Sequence, residues 1–518
     1  MGDIANRSKT NNKRIAKNTL FLYFRTIIIM LVSLYTSRII LNVLGVQDYG
    51  IYNVVGGIVA MFSVISGALS SAISRFITFE LGKGKENFER LNNIFSTSVN
   101  IQFGISIIVL LIGEVVGLWF LNYKMNIPAE RVEAANWVLQ CSLLSFCINL
   151  ISVPYNACII AHEKMKAFAY VSILEALLKL GVCFLIMISP IDKLISFSSL
   201  LVGVSICIRS TYTIYCHKHF EESHYQLVFD KAVLKEMTGF AGWNFFTHGS
   251  YIFNTQGVNI LMNLFFGVTL NAARGISTQV DHAIMQLVNN FTTALNPQIT
   301  KNYAAGNINE MFTLICRGAK FAYFLMFVFA LPVLVETDYI LTIWLKIIPP
   351  HAVNFGRLTI IALMVNIIGK TGYTAVMATG NIRSYVIWIT SIGCLVFPLS
   401  WVAFKFGAPP EATYIIYIIV YFLVEVIRLW LMREILQFPI LLFVKEVLVK
   451  ISVVTILSVI IPLVFTVLIE PSLIRTICSI ILCLLSAASS IYLFGLTTNE
   501  RSLIVETIVK KIHLKKSK

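Results

Sequence analysis

The chain has 518 residues, of which 57% are hydrophobic and only 13% are charged, and its formal net charge is +15. Soluble domains carry about 25% charged residues, so this composition excludes an ordinary soluble protein. It predicts an all-α polytopic membrane protein instead.

Apolar runs long enough to cross a bilayer of about 30 Å recur along the whole chain. Residues 1–18 are polar and basic, and the long apolar run after them is predicted to be a membrane span and not a cleaved signal. About fourteen spans are predicted, at 19–43, 49–72, 92–120, 132–154, 168–189, 194–215, 239–265, 270–296, 313–335, 354–378, 385–405, 412–432, 450–469 and 473–496. Proline within or at the end of a span is expected to kink it, at Pro154, Pro332, Pro398 and Pro462.

Basic residues concentrate in the two tails and in the loops that follow even-numbered spans. By the positive-inside rule, both termini are predicted to be cytoplasmic. The net charge is therefore a signal of topology, and we expect no nucleic acid as a partner. The basic C-terminal tail is expected to lie on anionic membrane lipids.

A segment of the chain repeats at an offset of 222 residues. "SSAISRFITFELGKG" at 70–84 aligns without a gap on "TTALNPQITKNYAAG" at 292–306. Gly45-Val46 aligns on Gly267-Val268, which predicts a tight turn at each pair. Spans 1–6 thus resemble spans 7–12, and two halves of six spans have the same orientation in the membrane. The predicted domains are an N-lobe at 1–216, a cytoplasmic linker at 217–238, a C-lobe at 239–436, and spans 13 and 14 with a basic tail at 437–518.

Polar residues inside predicted spans indicate an interior cavity, because a charge at the bilayer centre costs about 2.5–3.5 kcal/mol. Polar stripes at helical spacing follow spans 7 and 8, and Arg25 lies within span 1. These features predict a cavity lined by spans 1, 2, 7 and 8. The predicted substrate-binding residues are Arg25, Arg38, Asn244, His248, Tyr251, Thr255, Arg274, Thr278 and Asn289.

Three residues are candidates for ion or proton coupling: Asp281, His282 and Glu114. Asp281 with His282 is suited to carry a proton, but Asp281 is equally suited to balance Arg274 on the same helix face. Glu114 either couples protons or pairs with another helix. Arg38, near the predicted outer end of span 1, either faces the cavity or snorkels to the interface.

Two pairs of opposite charges lie within spans at helical spacing. Glu175 and Lys179 are four residues apart, and Glu425 and Arg428 are three apart, so each pair is expected to be structural, with a substrate contact as the alternative. The loop "CHKHFEESH" at 216–224 has metal-ligand residue types without the spacing of a zinc site. No catalytic constellation stands out. The sequence therefore predicts no metal, no cofactor and no enzymatic activity.

Two segments resemble a known family: "SRIILNVLGVQDYGIYNVV" at 37–55 and "NPQITKNYAAGN" at 296–307. With two parallel six-span halves and two further spans, they resemble the polysaccharide flippases of the MOP superfamily. The resemblance implies a V-shaped, MATE-like exporter that works by alternating access in the bacterial cytoplasmic (inner) membrane. Its implied substrate is an undecaprenyl-diphosphate-linked oligosaccharide for O-antigen or capsule. Arg25 and Arg274 would meet the diphosphate, although span 2 lacks a deep arginine that some relatives have.

The resemblance also implies which partners and which driving force to expect. The partners are the lipid-linked oligosaccharide, membrane lipids and polysaccharide polymerase or assembly proteins. Transport would be coupled to a proton, to sodium or to the membrane potential. Two alternatives remain open: a MATE-type multidrug or cation antiporter, and a peptidoglycan-precursor flippase. The first would need carboxylates in its cavity, and the second differs mainly in its sugar.

Overall fold

The computed structural model describes residues 2–82, 88–162, 164–228, 230–380, 382–498 and 500–502. Side chains are described from Phe24 onward, with gaps that include 236–248 and 250–251. Every regular element in these ranges is a helix, and eleven helices are long and apolar enough to cross a membrane. The prediction of an all-α polytopic membrane protein is confirmed.

The helices of the first repeat half follow the predicted spans in order. They are α1 (Gly2–Ala60), α2 (Ser63–Gly82), α3 (Phe88–Ile112), α4 (Leu118–Tyr123), α5 (Val132–Ala161), α6 (Met165–Ile188) and α7 (Lys193–His219). The first predicted span and the first part of the second lie in α1, which breaks at Gly45, where φ is 77° and ψ is 172°. The second predicted span continues into α2 after a turn at 61–62. These angles belong to a region that is essentially restricted to glycine, so Gly45 supplies the turn between the two spans.

The remaining helices account for the other predicted spans. They are α8 (Lys231–Phe266), α9 (Val268–Ala304), α10 (Ile308–Val335), α11 (Thr337–Leu345), α12 (Ala352–Ile367), α13 (Lys370–Thr379), α14 (Arg383–Gly393), α15 (Val396–Lys405), α16 (Ala412–Leu436), α17 (Ile440–Phe443), α18 (Val449–Leu468) and α19 (Leu473–Ser490). Gly267, between α8 and α9, has a φ of 81°. Both turns predicted from the repeat are thus confirmed. The polar helices α8 and α9 are not among the eleven apolar ones.

The spans are interrupted mostly at places other than their prolines. Pro154, Pro332 and Pro462 lie inside helices that continue through them, so the kinks expected there are not helix breaks. Pro398 follows a break at 394–395, and it has no N–H to bond the carbonyl four residues earlier. Span 10 breaks between α12 and α13, where Gly369 is the N-cap of α13.

The first compact unit comprises Met1–Ile276, Trp344–Ala352 and Cys394–Thr413. It therefore contains α8 as well as the helices of the first repeat half, and the lobe boundaries drawn from the repeat remain predictions. In this unit α5 packs against α7, and α1 packs against α6.

An ionic clamp joins α1, α5 and α7 within this unit. Arg131 donates to Asp48 at 2.8 and 2.5 Å and to Asp192 at 2.6 Å. The Asp192 side chain also accepts from two backbone N–H groups at the start of α7. The hydrogen bond from Arg131 holds the pKa of Asp192 below its ordinary value. Charged hydrogen bonds thus fix these three helices to one another.

The second unit comprises Ser277–Ile343, Val353–Gly393 and Tyr414–Lys518. Its core forms where α10 packs against α18 and α19. An ion pair lies at each end of this packing: Arg475 with Glu336 at 2.7 Å, and Lys320 with Glu500 at 2.7 Å. Burial raises the pKa of Glu500, but the hydrogen bonds from Lys320 and Thr497 and the charge of Lys320 together outweigh burial, and the pKa lies below its ordinary value. Ionic contacts thus hold the C-terminal helices to α10.

Candidate functional site

Arg25 is a half-buried cation within the first membrane span. Its guanidinium carbon lies 4.5 Å from the centre of the Phe168 ring on α6, a cation–π distance. Its Nε is buried and has no hydrogen-bond partner among the residues that the structure describes. Glu175 and Tyr212 act on it electrostatically, yet no carboxylate among the described residues lies within ion-pair distance. A buried guanidinium N–H without an acceptor is a group that an anionic oxygen would satisfy.

Arg274 binds a helix backbone. Its Nη2 donates to the carbonyl oxygen of Thr255 at 3.0 Å, which ties the start of α9 to α8. The Thr255 hydroxyl donates to the carbonyl of Ile252 at 3.1 Å. These contacts place two predicted site residues side by side. Arg274 also has a structural role, because its guanidinium donates a hydrogen bond to a backbone carbonyl within the predicted span.

Asn244, His248 and Tyr251 belong to the helical backbone of α8, but their side chains lie outside the described residues. Arg38 is half-buried on α1, and whether it faces a cavity or snorkels stays a prediction. Thr278 and His282 are exposed on α9.

The polar stripe of α9 continues in the second unit, where it faces the broken span 10. Lys370, the first residue of α13, donates through Nζ to Oδ1 of Asn289. One turn further, the Thr374 hydroxyl donates to Oδ1 of Asn296 at 2.8 Å. Asp281, which is half-buried, acts electrostatically on Lys370. The polar stripe of α9 therefore contacts a cation, Lys370, that the sequence analysis did not single out.

Glu114 lies in a π-helical turn, Gly113–Gly117, between α3 and α4. Its Oε2 accepts a hydrogen bond at 3.1 Å from Nε2 of Gln140 on α5. Glu114 was expected either to couple protons or to pair with another helix. The hydrogen bond from Gln140 supports the pairing with another helix.

Glu175 and Lys179 form an ion pair at 2.6 Å on α6, with half of each side chain exposed. They line a cavity of about 350 Å³ within the first unit, together with Thr36, Tyr52 and Asn149. The position of this cavity was not predicted. Glu175 and Lys179 can therefore be a structural ion pair and also form part of the cavity wall.

Glu425 and Arg428 form a buried ion pair at 2.5 Å on α16. Gly369 lies against both side chains, so closely that a Cβ at this position would collide with the Arg428 guanidinium and the Glu425 carboxylate. The pair thus packs against the point where span 10 breaks, which the spacing of the two residues could not indicate.

Lys370 and Arg209 are two of the basic residues within predicted spans that the sequence analysis did not single out. Arg209 on α7 donates to the carbonyl of Ile151 at 2.8 Å and lies 4.0 Å from the centre of the Tyr155 ring. The signal that would have found both residues is simple, since each is a basic residue within a predicted apolar span.

The loop after α7 packs on α3, and its residues take part in hydrogen bonds of that contact. Asn92 donates to the carbonyls of Glu222 and His224 at 3.1 and 2.8 Å. The Glu222 carboxylate pairs with His162. Among the described residues no cluster of three or more histidine, cysteine or acidic side chains could hold a metal ion.

Comparison with known proteins identifies a family model and a fold. Residues 22–185 match the MatE family model. No curated protein matches the chain. The structure is similar to that of the lipid II flippase MurJ in an inward closed conformation, with a TM-score of 0.69 at 14% identity, over 94% of this chain and 99% of that one. The family model covers less than half of the chain, and the structural similarity shows a shared fold.

Other structures of the MOP superfamily and of MATE transporters share the fold over less of the chain. The MATE multidrug transporter DinF-BH has a TM-score of 0.62 at 15% identity, over 82% of this chain and 97% of that one. A MOP superfamily transporter from Pyrococcus furiosus, described by the reverse polarity of its binding pocket, has a TM-score of 0.54 at 12% identity, over 81% and 96%. The fold is thus that of multi-pass membrane transporters.

Proposed function

We propose that this protein is a flippase that moves an undecaprenyl-diphosphate-linked oligosaccharide across the bacterial cytoplasmic membrane by alternating access, and that it is not an enzyme. The observation that carries the proposal is Arg25, a half-buried guanidinium within a span, whose buried Nε–H has no acceptor in the described part of the chain. A diphosphate brings about two negative charges that must cross hydrocarbon. Guanidinium groups bind such oxygens bidentately and stay charged when partly dehydrated.

The distribution of basic residues supports an anionic substrate. Lys370 and Arg274 add two cations inside spans, and the amide partner of Lys370 is neutral. An anionic headgroup would replace the Asn289 amide on Lys370 with a stronger, charge-assisted hydrogen bond. Amides and hydroxyls on α9 suit the hydroxyl groups of sugars.

The extent of structural similarity also favours a flippase. The lipid II flippase aligns with 94% of this chain, whereas the MATE structures align with 81–82%. The difference is similar to the combined length of the two C-terminal spans, Ile440–Leu468 and Leu473–Gly495. A substrate with a long lipid tail needs a route along the bilayer, which an antiporter of small cations does not.

A MATE-type multidrug antiporter is the second candidate, and the MatE match at 22–185 favours it. An organic cation would need a carboxylate that is available in the cavity. Glu425 is paired with Arg428, Glu175 is paired with Lys179, and Asp281 acts electrostatically on the cation of Lys370. These pairings leave the anionic substrate as the better fit. A peptidoglycan-precursor flippase shares the diphosphate chemistry and differs in the glycan.

Coupling to a proton, to sodium or to the membrane potential is part of the proposal. Each charge that crosses a potential of 100 mV is worth about 2.3 kcal/mol. Asp281 and His282 remain the coupling candidates, because both lie on the α9 stripe. Glu114 is the weaker candidate, since Gln140 already satisfies one of its oxygens.

Deletion of the gene from its host tests the proposal. The expected result is loss of a surface polysaccharide and accumulation of its lipid-linked oligosaccharide in the inner leaflet, both reversed by the intact chain. Sensitivity to organic cations without such accumulation would instead support the drug antiporter. Accumulation of peptidoglycan precursor would identify the third function.

A further inference from the structure

The cavity of about 350 Å³ in the first unit is built by four helices, α1, α5, α6 and α7. Its wall includes Tyr52, Gly56 and Val59 on α1, and Ser142, Ser145 and Asn149 on α5. Within each set the residues are three or four apart, which puts them on one face of their helix. Ligand pockets measure about 300–1,000 Å³, so the cavity has room for a small polar molecule.

Several polar groups on the cavity wall have no partner in the protein. Oγ1 of Thr36 is buried and has no hydrogen bond to a described residue. The hydroxyls of Ser142 and Ser145 on α5 also make none within the described ranges. By contrast, Ser152 on the same helix donates to the carbonyl of Ile148 at 2.9 Å. Hydroxyls in helices commonly bond back in that way, so the cavity wall keeps hydroxyls that a ligand can use.

Gly56 enlarges the cavity. It is followed by Gly57 in the interior of α1, where glycine weakens a helix. A Cβ at Gly57 would come within 2.7 Å of Oε1 of Gln256, so close packing explains that glycine. A Cβ at Gly56 would have no atom within 4 Å. Packing therefore does not account for Gly56, and its missing side chain leaves open space in the cavity wall.

The remaining wall combines aromatic rings with an ion pair. The Tyr52 and Phe197 rings meet edge to face, with centroids 5.0 Å apart. Glu175 and Lys179, joined at 2.6 Å, add acceptors and donors without adding net charge. A charged ligand would have to compete with this pair, whereas a neutral one can bond to both members. Aromatic rings beside hydroxyls, an amide and a neutralised ion pair suit the apolar face and the hydroxyl groups of a neutral sugar ring.

The cavity lies close to Arg25 along α6. Arg25 lies over the ring of Phe168, and Glu175 follows Phe168 by seven residues, which is two turns on the same face. At 1.5 Å per residue the two positions are about 10 Å apart along the helix axis. Glu175 also acts electrostatically on Arg25. A glycan whose diphosphate is bound by Arg25 can therefore reach the cavity.

We propose that this cavity is a glycan subsite, which binds a neutral sugar ring of the lipid-linked oligosaccharide while Arg25 binds the diphosphate. The proposal rests on the proposed flippase function. The hydroxyls of Ser142 and Ser145 and the Glu175–Lys179 pair would bond to sugar hydroxyls, and the ring of Tyr52 would pack against the sugar. The sugar bound here lies beyond the one that carries the diphosphate.

Protection of Cys141 tests the subsite without any transport. Cys141 lines the cavity, and in a background without other cysteines its reaction with a small thiol reagent reports whether the cavity is filled. Neutral methyl glycosides of hexoses and N-acetylhexosamines are the probes. At about ten times its dissociation constant, a binding glycoside is expected to slow labelling of the purified protein about tenfold by mass action. Labelling at an unchanged rate with every neutral glycoside, or protection by methyl glucuronide or tetraphenylphosphonium alone, would overturn the subsite.

Variants show whether the protection comes from the cavity. G56L is expected to slow labelling of Cys141 with no sugar present, because leucine fills the open space. G104L is its control, since a Cβ at Gly104 on α3 also has no atom within 4 Å and Gly104 is not part of the cavity wall. S142A/S145A is expected to weaken glycoside affinity about three- to tenfold, whereas S152A keeps it. Parent-like protection in S142A/S145A would refute the assignment of these hydroxyls.

Transport of two lipids in liposomes separates the subsite from the flippase function. One lipid carries the full oligosaccharide, and the other is trimmed to the sugar that carries the diphosphate. G56L is expected to move the full lipid about tenfold more slowly than the parent does and the trimmed lipid at the parent rate. Equal slowing of both lipids, or of neither, would contradict the subsite. A parent that moves neither lipid would refute the flippase function, and protection of Cys141 would still decide whether the cavity binds sugar.

Discussion

Replacing Arg25 with alanine is expected to lower the rate of glycan export by about ten- to a hundredfold. One hydrogen bond between charged groups contributes about 1.5–3 kcal/mol, and each 1.4 kcal/mol corresponds to tenfold. R25K is expected to fall between R25A and the parent, because lysine keeps the charge but not the bidentate geometry. The measurement is surface glycan per molecule of protein in a deletion strain that carries each variant.

Lys405 provides the matched control for this experiment. It too is a cation over an aromatic ring, 4.4 Å from the centre of the Trp401 ring, but it is exposed. K405A is expected to export normally. K370A is expected to lose export and K370R to keep most of it, because Lys370 contributes mainly charge. Normal export by R25A at normal expression would contradict the cationic site.

Replacing Arg428 alone with leucine is expected to destabilise the protein by about 3–5 kcal/mol. The change leaves the Glu425 carboxylate buried without its cation, which is the costly way to break a buried pair. The double variant E425L/R428L is expected to be much closer to the parent in stability, because no uncompensated charge remains. Thermal melting of the purified variants in detergent measures both effects.

The Glu175–Lys179 pair is the control, since both side chains are about half exposed. K179A is expected to change stability by about 0.5 kcal/mol or less. If R428L and the double variant melt together, the pair is not what supports the packing of α16 on the break at Gly369. If R428L melts with the parent, the carboxylate is not buried as the structure has it.

The sequence was sufficient to predict the helices, for a physical reason. A span must be apolar over about 20 residues, so all fourteen predicted spans coincide with helices of the structure. The repeat also located two turns, because a backbone with positive φ at Gly45 and Gly267 needs glycine at both positions.

The contacts between helices could not be predicted in the same way. Periodicity tells which residues share a face, but not which helix that face meets. Arg274 was expected to bind substrate, and it donates to a carbonyl of α8. Glu114 accepts a hydrogen bond from Gln140, and Lys370 donates one to Asn289. In each case the partner lies on another helix.

Kinks within spans were predicted at prolines, and Pro154, Pro332 and Pro462 lie in helices that continue through them. A proline removes one hydrogen bond, which neighbouring helices in a membrane can compensate. The break at Gly369 instead accompanies a side-chain pair on α16 that fills the space beside it. Such a break depends on tertiary packing, which local sequence does not contain.

Transport by the purified protein in liposomes tests directly whether the protein is a flippase. A labelled undecaprenyl-diphosphate oligosaccharide is placed in one leaflet, and its appearance in the other is followed with a reagent that cannot cross the membrane. The parent is expected to move this lipid faster than protein-free liposomes do, and R25A is expected to move it about ten- to a hundredfold more slowly than the parent. Movement of an organic cation but not of this lipid would contradict the proposed flippase function.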